Sequence, residues 1–188
     1  MRIIGGKFRG RRIKAPFGDA TRPTTDRVRE SLFNILAHQA DFSWEGARGL
    51  DLFAGSGALG LEALSRGAAF CLFVDHNTAA RGAIRDNIEE LGLFGQTRLH
   101  RRSAEQLGRK PAGVGDPFDL VFMDPPYRQG LIVSVLQGLL AGDWLSAHAL
   151  LVAEHEREWE ADLPPGFTCE DRRRFGDTEM SFIRPKIS

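Results

Sequence analysis

The spacing of apolar residues changes character twice along the chain. Residues 2–14 carry two short alternating runs, Arg2–Ile4 and Arg11–Lys14, around a glycine-rich turn, and predict a small hairpin with exposed arginines. Pro16, Gly18 and Pro23 mark 15–24 as a loop. Val28, Leu32, Ile35 and Leu36 then recur at helical spacing and predict a helix over about 25–38, with Thr25 as its cap.

From residue 47 apolar strands alternate with amphipathic helices. Strands are predicted at Gly49–Phe53, Phe70–Asp75, Arg98–His100, Leu120–Met123 and Leu150–Glu154, with helices near 58–66, 77–91 and 130–141. Such alternation specifies a mostly parallel sheet covered on both faces. The tail, Phe167–Phe175 and Glu179–Arg184, alternates in the manner of an antiparallel pair at a sheet edge. No repeat or linker marks a second domain. Residues 1–188 therefore read as one α/β domain, with 1–24 as an N-terminal extension.

Composition alters this picture little. A hydrophobic fraction of 42% and a charged fraction of 27% are ordinary for a globular domain. No run of 18 apolar residues is present, so no membrane span is expected. Cys71 and Cys169 stand alone and form neither a disulfide framework nor a zinc site, which points to a reducing, cytoplasmic setting. His38, His100, His148 and His155 lack metal-ligand spacing, and no metal is expected. Charge says more. Residues 1–30 hold nine Lys/Arg against three acids, a local +6 within a chain of net zero. A basic arm on an acidic body fits a polyanion partner, and it equally fits a merely solvated arm.

Residues 50–60 read Leu-Asp-Leu-Phe-Ala-Gly-Ser-Gly-Ala-Leu-Gly. Gly55, Gly57 and Gly60 fit G-x-G-x-x-G where a strand turns into a helix, so that a ligand can lie against the backbone. Asp75 ends the next strand, 20 residues after Gly55, where a carboxylate can accept from both ribose hydroxyls. That pair alone suits either a dinucleotide or S-adenosylmethionine. Asp51 favours the latter, because a carboxylate beside the turn repels a pyrophosphate and attracts the ammonium of a methionine end.

Residues 119–127 read Asp-Leu-Val-Phe-Met-Asp-Pro-Pro-Tyr, with Asp124-Pro125-Pro126-Tyr127 at the carboxyl end of a core strand. Open α/β sheets bind ligands at that end. Asp124 and the carbonyl of Pro125 can each accept one N–H of a base's exocyclic amine, and the prolines stiffen the turn that aims them. Tyr127 offers a face on which an extruded base can stack. These features point to methyl transfer onto an amino group of guanine, adenine or cytosine.

With both motifs the chain resembles the bacterial 16S ribosomal RNA guanine-N2 methyltransferase family, RsmD-like. The likeness also runs through Arg2–Gly6, Arg9–Arg11, Arg22–Thr24, Asp26–Asn34 and Glu62–Gly67. It implies a Rossmann-like, seven-stranded methyltransferase fold with an antiparallel last strand, acting on guanine 966 of 16S RNA or a partly assembled small subunit; a monomer is expected. It places Asp51, Phe53, Ala54, Gly55, Ser56 and Gly57 at the methionine end, Asp75 on the ribose, and His76, Asn77, Ser103 and Ala104 along the rest of the cofactor. Asp75 stands where such enzymes more often carry glutamate, and Ser103 where they often carry Asp or Asn. Arg9, Arg11, Arg12 and Arg22 are the expected RNA contacts. Two other functions fit the motifs in part: a DNA adenine or cytosine amino methyltransferase, and a non-catalytic RNA-binding assembly module.

Overall fold

The computed structural model describes residues 1–17, 25–39, 41–126, 130–157, 159 and 162–186. Helix α1 (Asp26–Ala37) precedes β1 (Arg48–Leu52), α2 (Ala58–Ser65), β2 (Phe70–Val74), α3 (Thr78–Leu91) and β3 (Thr97–His100). Then follow β4 (Phe118–Met123), α4 (Leu131–Ala141), β5 (Leu145–Glu156), β6 (Phe167–Phe175) and β7 (Thr178–Pro185). The strands form one seven-stranded sheet in the order β3-β2-β1-β4-β5-β7-β6. β1 to β5 run parallel, and β7 is antiparallel to both β5 and β6.

Two cores follow from the period-two alternation of the central strands. Leu120 and Phe122 face one side, where α1 supplies Leu32, Phe33 and Leu36, and α2 and α3 supply Leu61 and Ile84. Val121 and Met123 face the other, against Ile132, Val135 and Leu136 of α4. Thr25 caps α1 by accepting from the Val28 amide at 3.3 Å. Trp44 stacks on Phe33 and the fully buried Trp144 on Phe118, both as packing residues.

Two expectations need correction. The N-terminal hairpin makes only one ladder bridge, Arg2 with Arg12, instead of two strands. Its amides are used elsewhere: Ile4 and Gly5 donate to the two oxygens of the buried Glu62 at 2.7 and 2.8 Å. Lys7 donates to the Ser65 carbonyl at 2.7 Å, and Ile3 and Ile13 join the core. The arm's backbone is thus docked on α2. Strand β5 also begins five residues before the expected Leu150. Its first part is half-exposed at Ser146 and exposed at Ala147 and His148, and the register with β4 shifts there, so it lacks the apolar signature of a buried strand.

Candidate active site

The parallel register aligns the carboxyl ends of four strands. Leu52 pairs with Val74 and Met123, and Met123 pairs with Ala153. One residue further along stand Phe53, Asp75, Asp124 and Glu154, so three acids end adjacent parts of one edge. Asp51 lies one residue earlier than Leu52, in register with Phe73 and Phe122.

The turn from β1 into α2 is held from several directions. Gly55 and Gly57 adopt φ of 56° and 77°, and Phe53 takes φ 57°, a left-handed conformation that costs an ordinary side chain about 1–2 kcal/mol. The Gly55 amide donates to Asp75 at 2.9 Å, and the other Asp75 oxygen accepts from the Asn77 amide at 2.8 Å. Asp51 accepts from the Gly60 amide at 2.9 Å, and so caps a helix whose own N-cap, Gly57, has no side chain. A Cβ on Gly60 would lie 2.6 Å from Cys71 Sγ and closer still to the Phe73 ring, so this glycine serves helix-on-strand packing. Among the described residues, a Cβ on Gly55 would meet only the Phe53 carbonyl, at 3.9 Å. The space over Gly55 is open.

The electrostatics are one-sided. Burial pushes the Asp51 carboxyl up to about 8, with Asp75 adding to the shift while the Gly60 amide opposes it. Burial, then the charges of Glu154 and Asp51, hold Asp124 well above the usual carboxylate range. Asp51 and Asp124, both raised and with Asp75 close to Asp51, favour a cation between them. S-adenosylmethionine carries a sulfonium and an ammonium, and Asp75 keeps free lone pairs for hydroxyls on a carboxylate already oriented by two amides. The residues present fit that cofactor.

The remaining sequence-predicted residues fall around this centre. Ala54 is buried, with its amide on the Val74 carbonyl at 3.2 Å, and the Ser56 carbonyl accepts from Asn87. Pro125 is buried and Pro126 exposed, directly after Asp124. His76 is exposed. The Asn77 side chain caps α3 through the amides of Ala79 and Ala80 at 2.8 and 3.1 Å, so its oxygen is already engaged. Ser103 and Ala104 follow β3, Ser103 half-buried near Glu105 and Ala104 buried. Arg9, Arg11 and Arg12 are exposed on the hairpin, with Arg11 donating to the Glu90 carbonyl at 3.2 Å. Tyr127 and Arg22 lie outside the described residues. Sequence reasoning missed Glu154 as a neighbour of Asp124. The available signal was an acid closing an apolar run, Leu-Leu-Val-Ala-Glu, as Asp124 closes its own.

The chain matches the model of the family described as "Conserved hypothetical protein 95" over residues 1–184. It is 42% identical to YlbH of Bacillus subtilis over 187 residues, 99% of this chain and 100% of that protein. It is 41% identical to ribosomal RNA small subunit methyltransferase D of Escherichia coli over 158 residues, 84% of this chain and 76% of that protein. The solved structure of yhhF from Escherichia coli superposes with a TM-score of 0.85 at 37% identity, covering 100% of this chain and 99% of that one.

Proposed function

Because the chain belongs to the conserved hypothetical protein 95 family, that of the small-subunit ribosomal RNA methyltransferases D, we propose that it methylates the exocyclic N2 amine of a guanine in 16S ribosomal RNA, and that this base is guanine 966. The observation that carries the reading is the register: β1 and β4 are neighbours, so Asp124 leaves the sheet beside the glycine turn and next to Asp51.

When bound, S-adenosylmethionine supplies a methyl group on a positively charged sulfur, so no nucleophilic side chain is required. Asp51 attracts the ammonium and Asp75 accepts from the ribose, with Phe53, Ala54, Gly55, Ser56 and Gly57 forming the surface between them. His76, Asn77, Ser103 and Ala104 form the rim toward the adenine. Asp124 and the Pro125 carbonyl each accept one N–H of the guanine amine, which aims the nitrogen lone pair at the methyl carbon. Pro126 stiffens the turn, and Tyr127 stacks on the extruded base. Asp124, or water beside it, would take the proton that the amine nitrogen gives up on methylation. A cation held beside Asp51 and Asp124 would favour their ionised forms, leaving Asp124 charged as an acceptor for the amine.

Arg9, Arg11 and Arg12 bind RNA phosphates from a hairpin whose backbone is already fixed to α2, which supports a gripping arm over a merely solvated one, and Arg22 is a further proposed RNA contact. We read the chain as one methyltransferase domain acting as a monomer in the cytoplasm. No helix among the described residues is long and apolar enough to cross a membrane.

The test is transfer of labelled methyl from S-adenosylmethionine to naked 16S RNA, to small-subunit particles and to DNA, with the modified nucleoside identified by mass spectrometry. N2-methylguanosine in the RNA is expected. Label in DNA alone, or in another nucleoside, would overturn the reading.

A further inference from the structure

Asn87 lies in the middle of α3 and is 1% exposed, with nothing in the chemistry above requiring it. Its Oδ1 accepts from the Lys14 amide at 2.8 Å. Its Nδ2 donates twice, to the Lys14 carbonyl and to the Ser56 carbonyl, both at 3.0 Å. One donor and two acceptors surround it, so a single orientation of the amide satisfies all three. Ser56 is the middle residue of the glycine turn, and Lys14 closes the N-terminal hairpin. One buried side chain therefore clamps the two together. A second contact joins the same parts: the Ser56 hydroxyl lies 3.7 Å from the Met1 sulfur, and the Met1 carbonyl accepts from Ile13 across the hairpin at 3.0 Å.

We propose that Asn87 is a positioning residue that couples the RNA-gripping hairpin to the cofactor turn, so that RNA and cofactor each tighten the binding of the other. The inference rests on the preceding assignment of the turn to S-adenosylmethionine and of the hairpin to RNA. Its physical basis is the completeness of the clamp. With both Nδ2 hydrogens and Oδ1 engaged, the hairpin cannot shift at Lys14 without straining or breaking the bond to Ser56. A buried carbonyl or amide left without its partner is costly, so the three bonds are kept or lost together. Fixing the hairpin on RNA therefore restricts the turn to the conformation that holds the cofactor. By thermodynamic reciprocity the cofactor restricts the hairpin to the same degree.

Glu62 fastens the other end of the hairpin, through Ile4 and Gly5, without touching the turn. It thus separates loss of the arm from loss of the coupling. An arm loosened at Glu62 still reaches Ser56 through Asn87; an arm released at Asn87 keeps its Glu62 anchor and touches the turn only through the weak Met1–Ser56 contact.

The test uses the full chain and S-adenosylhomocysteine as the probe, which cannot be turned over. Its dissociation constant is measured with and without a saturating excess of 16S RNA, or of small-subunit particles if these are the better acceptor. For the unaltered chain RNA is expected to tighten the probe about fivefold or more, the lower end of usual coupling between sites. Asn87→Asp retains the acceptor for Lys14 but sets a second carboxylate oxygen against two carbonyls. It should bring the ratio to within about twofold of unity, because losing roughly 1 kcal/mol of coupling removes that factor. Should that variant not fold, Asn87→Ser is measured the same way with the same expectation. Glu62→Gln should weaken RNA binding while leaving probe affinity without RNA unchanged. A purely structural asparagine would lower the melting temperature in its variants and leave the ratio as in the unaltered chain, and that result overturns the coupling. A ratio of one in the unaltered chain overturns it too. Failure of the unaltered chain to bind the probe at all would instead sink the functional assignment on which the coupling rests.

Discussion

The two halves of the sheet's carboxyl edge are built on different physical principles. On the β1–β2 side every carboxylate is met by backbone amides: Asp51 by Gly60, Asp75 by Gly55 and Asn77. The turn there is a finished structure, strained at Phe53 and fixed before any ligand arrives. On the β4–β5 side Asp124 and Glu154 lie together, and the proximity of like charges under burial raises Asp124. The first half is fixed in geometry, although burial raises Asp51 as well. In the second, burial and the charges of Glu154 and Asp51 raise Asp124, and a group that donates N–H to it would relieve that cost. A preformed cradle beside a destabilised acceptor is what a methyl donor and an amine substrate respectively need.

The largest effect should come from removing the acceptor. Asp124→Ala is expected to lower methyl transfer at least about 100-fold, since misplacing a reacting group costs on that order. Cofactor affinity should change by less than about threefold, measurable by calorimetry. Loss of cofactor binding along with activity would erase the distinction between the halves.

Packing comes next. Gly60→Ala forces a methyl against Cys71 and Phe73 and should cost about 1–3 kcal/mol by denaturant titration. Gly55→Ala meets open space and should cost only about 1–2 kcal/mol, from its left-handed backbone. It should instead weaken cofactor binding, because the added methyl occupies the ligand's place.

Asp51 gives a smaller effect with a definite sign. In the folded chain it holds its proton up to about pH 8, against an ordinary value of 3.8. Below about pH 4 folded and unfolded states both keep the proton; between 4 and 8 only the folded state does, so stability falls as pH rises through that window. Asp51→Asn should flatten this decline in thermal melting while weakening cofactor binding about tenfold, roughly 1.4 kcal/mol. Smallest of all, neutralising Arg9 and Arg12 should lower the salt slope of RNA binding by about 2, one for each phosphate contact removed.

What was legible in the sequence follows the same division. The form of the glycine turn and the place of Asp124-Pro125-Pro126 at the end of a strand could be read because both are local: positive φ favours glycine, and proline ends the strand. The strands and helices around them could be read because burial on two faces leaves unbroken apolar runs. Glu154 could not, since its meaning comes from Asp124 on a separate strand that pairing brings alongside. Asn87 sits among the polar residues of an amphipathic helix and Glu62 is the lone charge of an apolar one; their partners in the docked hairpin lie far away in sequence. The same docking hid the arm's true form. Its amides bind a carboxylate, so the two short strands implied by alternation reduce to a single bridge.

The most direct test is a crystal structure of the chain grown with S-adenosylmethionine or its product. The methionine ammonium should lie within hydrogen-bond distance of Asp51, the ribose hydroxyls on Asp75, and the sulfur over Gly55 facing Asp124. A ligand bound away from this turn, or a sulfur turned from Asp124 with the carboxylate pointing out of the cavity, would contradict the account.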